Sequence, residues 1–243
     1  MRLHQFGVLA VMLAALACPR LATAAVTMSS DAADPALGPD DQYSLVDDQQ
    51  IPNGNTPGGG TYNSQSYSDN AGPPGQTFTT PAGAPSYLLT SVSMKGTGDT
   101  GGGAVEGQWG VRISAVSGTS LTPLNTVTGI VGAASATADD WLTWAFSDAD
   151  VLSLSPGTQY AFEVFSSSGW FGFGGAPDSA YGGGTAFNSA GPSRSFGDDT
   201  LGNLANHGYD RTFHVALTAV PEPAAIGLAL GSAVGLLAWR RKR

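Results

Sequence analysis

The chain has 243 residues, 34 glycines, 15 prolines, a single cysteine and a formal net charge of −9. The cysteine, Cys18, precedes the expected start of the mature protein, so a disulfide scaffold, a thiolate zinc centre and a cysteine nucleophile are excluded there. Residues 25–220 carry four basic side chains (Lys95, Arg112, Arg194, Arg211) against 18 acidic ones, and a field of that sign argues against nucleic acid or anionic lipid as partners.

Residues 1–24 have the three-part layout of a secretory signal peptide. Arg2 is the basic start, residues 6–17 form an apolar core of 12 residues, and Ala22-Thr23-Ala24 is a small-x-small cleavage site. The core is too short to span a bilayer, so export and cleavage after Ala24 are expected. A lipoprotein signal ending at Cys18 is the weaker alternative, because Ala15 stands where such signals carry Leu and Pro19 follows directly. Residues 25–42, rich in Asp, Pro and Ser, read as a flexible leader.

Residues 43–219 are long enough for one hydrophobic core. Period-two alternation marks strands in "EGQWGVRISAV", "DWLTWAFSD", "TQYAFEVFSS" and "RTFHVALTA". In the first of these Trp109, Val111, Ile113 and Ala115 point one way and Gly110, Arg112 and Ser114 the other, as on a half-buried strand. Further strands are expected in "QYSLVDDQQI", "QTFTT", "SYLLTSVSMK" and "TSLTPLNTV". No helical period is sustained across the domain. Eight to ten short strands separated by Gly, Pro, Asn and Asp predict an all-β fold, a single jelly-roll-like β-sandwich.

Chemistry-bearing residues are sparse. The mature chain has two histidines, and His207 near Asp210 is the one pairing open to acid–base work, against a plain exposed loop histidine. Neither a Gly-x-Ser-x-Gly elbow nor an HExxH motif is present, and "GTGDTGGGAVEG" lacks the Gly-Lys-Ser/Thr of a phosphate cradle. Asp47-Asp48, Asp139-Asp140, Asp148 with Asp150, and Asp198-Asp199 could supply oxygen ligands to Ca²⁺, but none has an EF-hand spacing and solvated turns are the preferred reading. No metal or cofactor is expected. Trp170, Phe171, Phe173 and Tyr181, set among glycines, offer flat rings for stacking on sugars; the preferred reading is a hydrophobic flap that closes one end of the sandwich, with Trp170, Phe171 and Phe173 extending the core.

At the C-terminus, "AVPEP" opens a run of 16 uncharged residues, 224–239, which as a helix covers about 24 Å of a ~30 Å hydrocarbon layer. Trp239 suits the interfacial belt, and Arg240, Arg241, Lys242 and Arg243 form a basic stop on the cytoplasmic side. Gly227, Gly231 and Gly235 make a stripe that lets another helix approach closely. Val220 and Glu222 each precede a proline and are biased toward extended geometry.

Val220-Pro221-Glu222-Pro223, the apolar helix and the terminal basic cluster together resemble the PEP-CTERM sorting signal of Gram-negative bacteria. That resemblance covers residues 220–243 and implies a substrate of an exosortase, a membrane-embedded processing enzyme. A looser resemblance, carried by "QTFTT", "YLLTSVSMKGTG", "LSPGTQYAFEVF", "YGGGTAFNSAG" and "RTFHVALT", is to the choice-of-anchor domains that precede such tails. It implies a surface or matrix protein and transfers no catalytic residues. The expected function is therefore an exported, non-enzymatic cell-surface or exopolysaccharide-matrix protein, held transiently in the inner membrane. A carbohydrate-binding module is the first alternative and a glycoside hydrolase-like enzyme the second.

Overall fold

The segments whose apolar residues alternate form strands, because period two is the spacing that sends successive side chains to opposite faces of a sheet. The computed structural model describes residues 26–46, 62–63, 73–99, 108–132, 139–166, 171–177, 180–187, 196–197 and 209–222. In chain order the strands are β1 (Val26–Asp31), β2 (Gln42–Ser44), β3 (Tyr62–Asn63), β4 (Gly75–Thr79) and β5 (Ser86–Asp99). Then come β6 (Gln108–Ser117), β7 (Ser120–Val131), β8 (Trp141–Phe146), β9 (Leu152–Leu154) and β10 (Gln159–Ser166). The last are β11 (Phe171–Phe173), β12 (Gly175–Pro177), β13 (Ala186–Phe187), β14 (Tyr209–Arg211) and β15 (Phe213–Val220). Among the described residues the one helical element is a 3₁₀ turn at Asp148–Asp150.

All pairings are antiparallel. The first sheet runs β1–β8–β5–β15–β2; β9 extends it beside the start of β5, and β11 and β3 extend it beside the end of β5. The second sheet runs β13–β4–β10–β6–β7, and β12 pairs with β14. Both larger sheets feed one hydrophobic cluster: Leu89, Val92, Met94, Leu142, Trp144, Phe213 and Val215 from the first, and Phe78, Trp109, Val111, Ile113, Phe162 and Val164 from the second. Ring contacts join them, Trp109 to Trp144 at 5.5 Å between centroids and Phe162 to Phe213 at 6.1 Å, in the tilted geometry that aromatic quadrupoles favour.

Two expectations need correction. The flexible leader over 25–42 does not hold from Val26 onward. β1 pairs with β8 along all six of its residues, and Val26 belongs to the core cluster. Residues 32–41 then link β1 at one edge of the first sheet to β2 at the other, with Asp34 accepting from Trp141 Nε1 (3.0 Å) and Asp41 reaching His214 on β15. Low apolar content concealed this strap, since it is held by side-chain oxygens and not by packing. The folded unit therefore includes residues 26–42 as well as those from residue 43 onward.

The second correction concerns faces. Arg112, Ser114 and Glu163 point away from the main core, as alternation requires, yet all three are buried. Phe187 packs there with Leu121 and Ala161, and Phe196 stacks on Phe165 at 5.4 Å. The middle of the second sheet is thus covered on both sides.

Edge strand β7 carries its own protection against pairing with another chain. Pro123 lies within it, and two register shifts against β6 distort the ladder, one beside Gly129 with its φ of 73°. Another glycine is set by close approach. A Cβ on Gly184 would overlap the Thr77 carbonyl, beside the Thr185 N–H to Thr77 Oγ1 hydrogen bond of 2.7 Å. Gly184→Ala is expected to destabilise the fold by about 1–3 kcal/mol, the usual range for overpacking, as read from the midpoint of urea unfolding.

Candidate functional site

The C-terminal motif begins at the last residue of β15. That residue, Val220, pairs with Ser86, which keeps it extended. Pro221 and Glu222 follow without a spacer, and both are exposed. Pro223, the glycines Gly227, Gly231 and Gly235, and the basic residues Arg240, Arg241, Lys242 and Arg243 lie outside the described residues, as does the expected helix over 224–239. Among the described residues no helix is long and apolar enough to cross a membrane.

Of the four rings that could form a platform, Phe173 and Tyr181 are turned into the fold. Phe173 is fully buried, with its ring 6.3 Å from Trp109 and 6.5 Å from Trp144. Tyr181 packs edge-on against Phe213 at 5.0 Å. Its hydroxyl donates to Gln42 Oε1 (3.0 Å) and accepts from the Thr79 N–H (3.1 Å). Burial, aided by the nearby Asp210 carboxylate and opposed by the Thr79 N–H, pushes that hydroxyl up to about 12. Phe173 therefore lies in the core and Tyr181 packs against it. Phe171 lies in β11 and Trp170 outside the described residues.

Three polar constellations that the sequence did not disclose are built from distant residues. In the first, Asp41 Oδ1 accepts from the Leu217 N–H (2.9 Å), and Oδ2 accepts from the Gly38 N–H (2.7 Å) and meets His214 Nε2 at 2.8 Å. Leu217 stands at a register shift of β15 against β5, so Asp41 takes up an amide at an irregularity of the ladder. Burial pushes the Asp41 carboxyl upward, but the Leu217 and Gly38 N–H groups and His214 outweigh it and hold the group below its ordinary value.

In the second, Asp210 accepts from Gln76 Nε2 (3.0 Å) and from the Tyr181 N–H (3.0 Å), while Gln76 Oε1 accepts from the Arg211 N–H (2.8 Å). Gln76, Asp210 and Arg211 are completely buried. Asp210 is thereby committed to holding strands together; His207, its suggested partner, lies outside the described residues.

In the third, Arg112 and Glu163 stand directly opposite on β6 and β10. Nη1 lies 3.5 Å from Oε1, Arg112 Nε donates to Ser114 Oγ (3.1 Å), and the Gly197 N–H donates to Glu163 (3.1 Å). All three constellations pin segments of chain to sheet strands.

Of the acidic pairs, Asp139 and Asp148 adopt left-handed backbone, at φ of 72° and 51°, a conformation that Asp tolerates better than most residues. Asp150 accepts from Asn125 Nδ2 at 3.1 Å. Asp47-Asp48 and Asp198-Asp199 lie outside the described residues. Among the described residues no three His, Cys, Asp or Glu side chains are grouped so as to hold a metal ion. Neither a protein-family model, nor a curated protein, nor a solved structure matches this chain.

Proposed function

We propose that this protein is an exported, non-enzymatic component of the cell surface or exopolysaccharide matrix of a Gram-negative bacterium. Its body is a jelly-roll-like β-sandwich, and residues 220–243 are a PEP-CTERM signal read by an exosortase-type enzyme of the inner membrane. The observation that carries the proposal is the exit of the chain. The last core strand delivers Val220 in extended form, and the exposed Pro221 and Glu222 follow at once. A processing enzyme binds a pre-ordered extended peptide at lower entropic cost than a helical one. The buried carboxylates Asp41, Asp210 and Glu163 each accept hydrogen bonds from the protein itself, which suits a scaffold better than a hydrolase.

The test is a double substitution, Pro221→Ala with Pro223→Ala. Alanines allow the apolar helix to grow backward and take Glu222 into regular structure. Export and folding are expected to stay intact while the protein is retained in the inner membrane with its basic tail attached. Mass spectrometry of membrane and extracellular fractions reads this directly. A double variant trimmed and released like the wild type sinks the assignment of the motif as a processing signal.

A further inference from the structure

The strand directions place the start of β1 and the finish of β15 at the same end of the first sheet. β1 starts at Val26 opposite Phe146, the last residue of β8, and β15 finishes at Val220 opposite Ser86, the first residue of β5. Beyond the end of β8, β5 and β15 continue downward with β9 beside them, Tyr87 opposite Leu154. Among the described residues this end is made by the β6–β7 turn at Gly118 and Thr119, brought there by the pairing of Ala115 with Tyr160, and by residues 80–86 and 155–158. The latter two segments are tied together by the Gly157 N–H, which lies 3.2 Å from the Thr80 carbonyl and 3.1 Å from that of Pro81. Ala82, Gly83, Pro85, Ser155, Pro156 and Gly157 are exposed there.

This foot is free of charge in a strongly acidic domain. Residues 80–94 and 151–162 contain no Asp, Glu, Lys or Arg. The neighbouring Asp148–Asp150 turn is drawn toward β7, where Asn125 pairs opposite Ile113 and bonds Asp150. From Val220 to the first residue of the apolar run, Ala224, the chain reaches at most about 13 Å.

We infer that the foot formed by residues 80–86 and 155–158 rests on the phospholipid headgroup layer while the chain is anchored, so that the domain stands upright with β5 and β15 along the membrane normal. The inference rests on reading residues 224–239 as membrane-inserted. The short tether brings the foot to the interface, and small uncharged residues meet it at little desolvation cost. The acidic remainder of the domain is repelled by an anionic leaflet and so held away from it. Exposed bulky apolar residues are missing from the foot's described surface, so the contact is apposition and not insertion.

The mature chain lacks cysteine, so single labels are unambiguous. Ala82→Cys reports on the foot and Val131→Cys on the far end of β7, roughly 30 Å away by strand rise. The full mature chain is reconstituted in vesicles of phosphatidylcholine with a minor share of phosphatidylglycerol, and each cysteine carries a fluorophore. Spin-labelled phosphatidylcholine headgroups are expected to quench the Ala82→Cys label several-fold more than the Val131→Cys label. A flexible linker of about ten residues inserted between Val220 and Pro221 should abolish most of that difference.

A chain that fails to float with the vesicles overturns the membrane-inserted tail and the orientation together. An anchored chain whose two labels are quenched alike overturns the orientation alone. In host membranes, a photocrosslinker at the foot that captures protein and not lipid reassigns the contact to a protein surface.

Discussion

Glu163→Gln is expected to destabilise the protein by about 3–5 kcal/mol, because it removes a buried counter-charge from beside the guanidinium of Arg112. The two side chains are nearly inaccessible, at 1% and 2% exposure, so solvent cannot take over the role of the lost partner. For a folded unit of this size the loss should lower the melting temperature by roughly 10 °C. Arg112→Met should cost a comparable amount for the mirror reason. The double variant Arg112→Met with Glu163→Leu should recover much of the loss, since well-packed apolar replacements of a buried ion pair are often neutral. Gly197 gives an independent readout. Its N–H donates to Glu163, so its protection from hydrogen exchange should fall in Glu163→Gln. Single variants costing less than about 1 kcal/mol would show the pair to be solvated in solution.

Asp41→Ala should cost about 3 kcal/mol and release the strap of residues 32–41 from the first sheet. The carboxylate accepts from two backbone N–H groups and contacts His214, and charged hydrogen bonds of this type contribute about 1.5–3 kcal/mol each, with partial overlap. Limited proteolysis should cut the strap in the variant while the wild type resists, and the Leu217 amide should lose its protection. The pH dependence has a definite sign. The folded-state value of Asp41 is depressed, so its stabilisation is complete above the unfolded value near 4 and is lost as pH falls through the folded value. Wild type and Asp41→Ala should therefore differ most in stability above about pH 4 and converge in more acidic solution. Equal acid sensitivity of the two proteins would remove Asp41 as the source.

Much of the second-sheet and core-strand pattern was legible because a residue's own face on a strand is a local property. Trp109, Val111 and Ile113 had to share a face, as did Tyr160, Phe162 and Val164, and each trio lies in the core cluster. The Pro156-Gly157 turn was legible for the same reason, and Gly157 has the positive φ of 59° that suits glycine. Even there the sequence could not say that β9 and β10, on either side of the turn, belong to different sheets. Val220 before Pro221 had to be extended, and it is.

What tertiary structure alone decided is which faces are covered, and by what. Arg112 and Glu163 alternate outward like surface residues, and among the described residues Phe196-Gly197 and β13, brought from elsewhere in the chain, help to cover that side. Residues 26–41 have the composition of a mobile leader. They become β1 and a strap because β8 offers a free edge and because a β15 amide 176 residues away finds Asp41. Phe173 and Tyr181 had the local look of exposed rings among glycines, yet Trp109, Trp144 and Phe213 supply the apolar surroundings that bury them. Side-chain alternation is set by the backbone of one strand, and so the sequence carried it. Burial of the outward face depends on the register and docking of distant segments, and those are fixed only when the whole chain has folded.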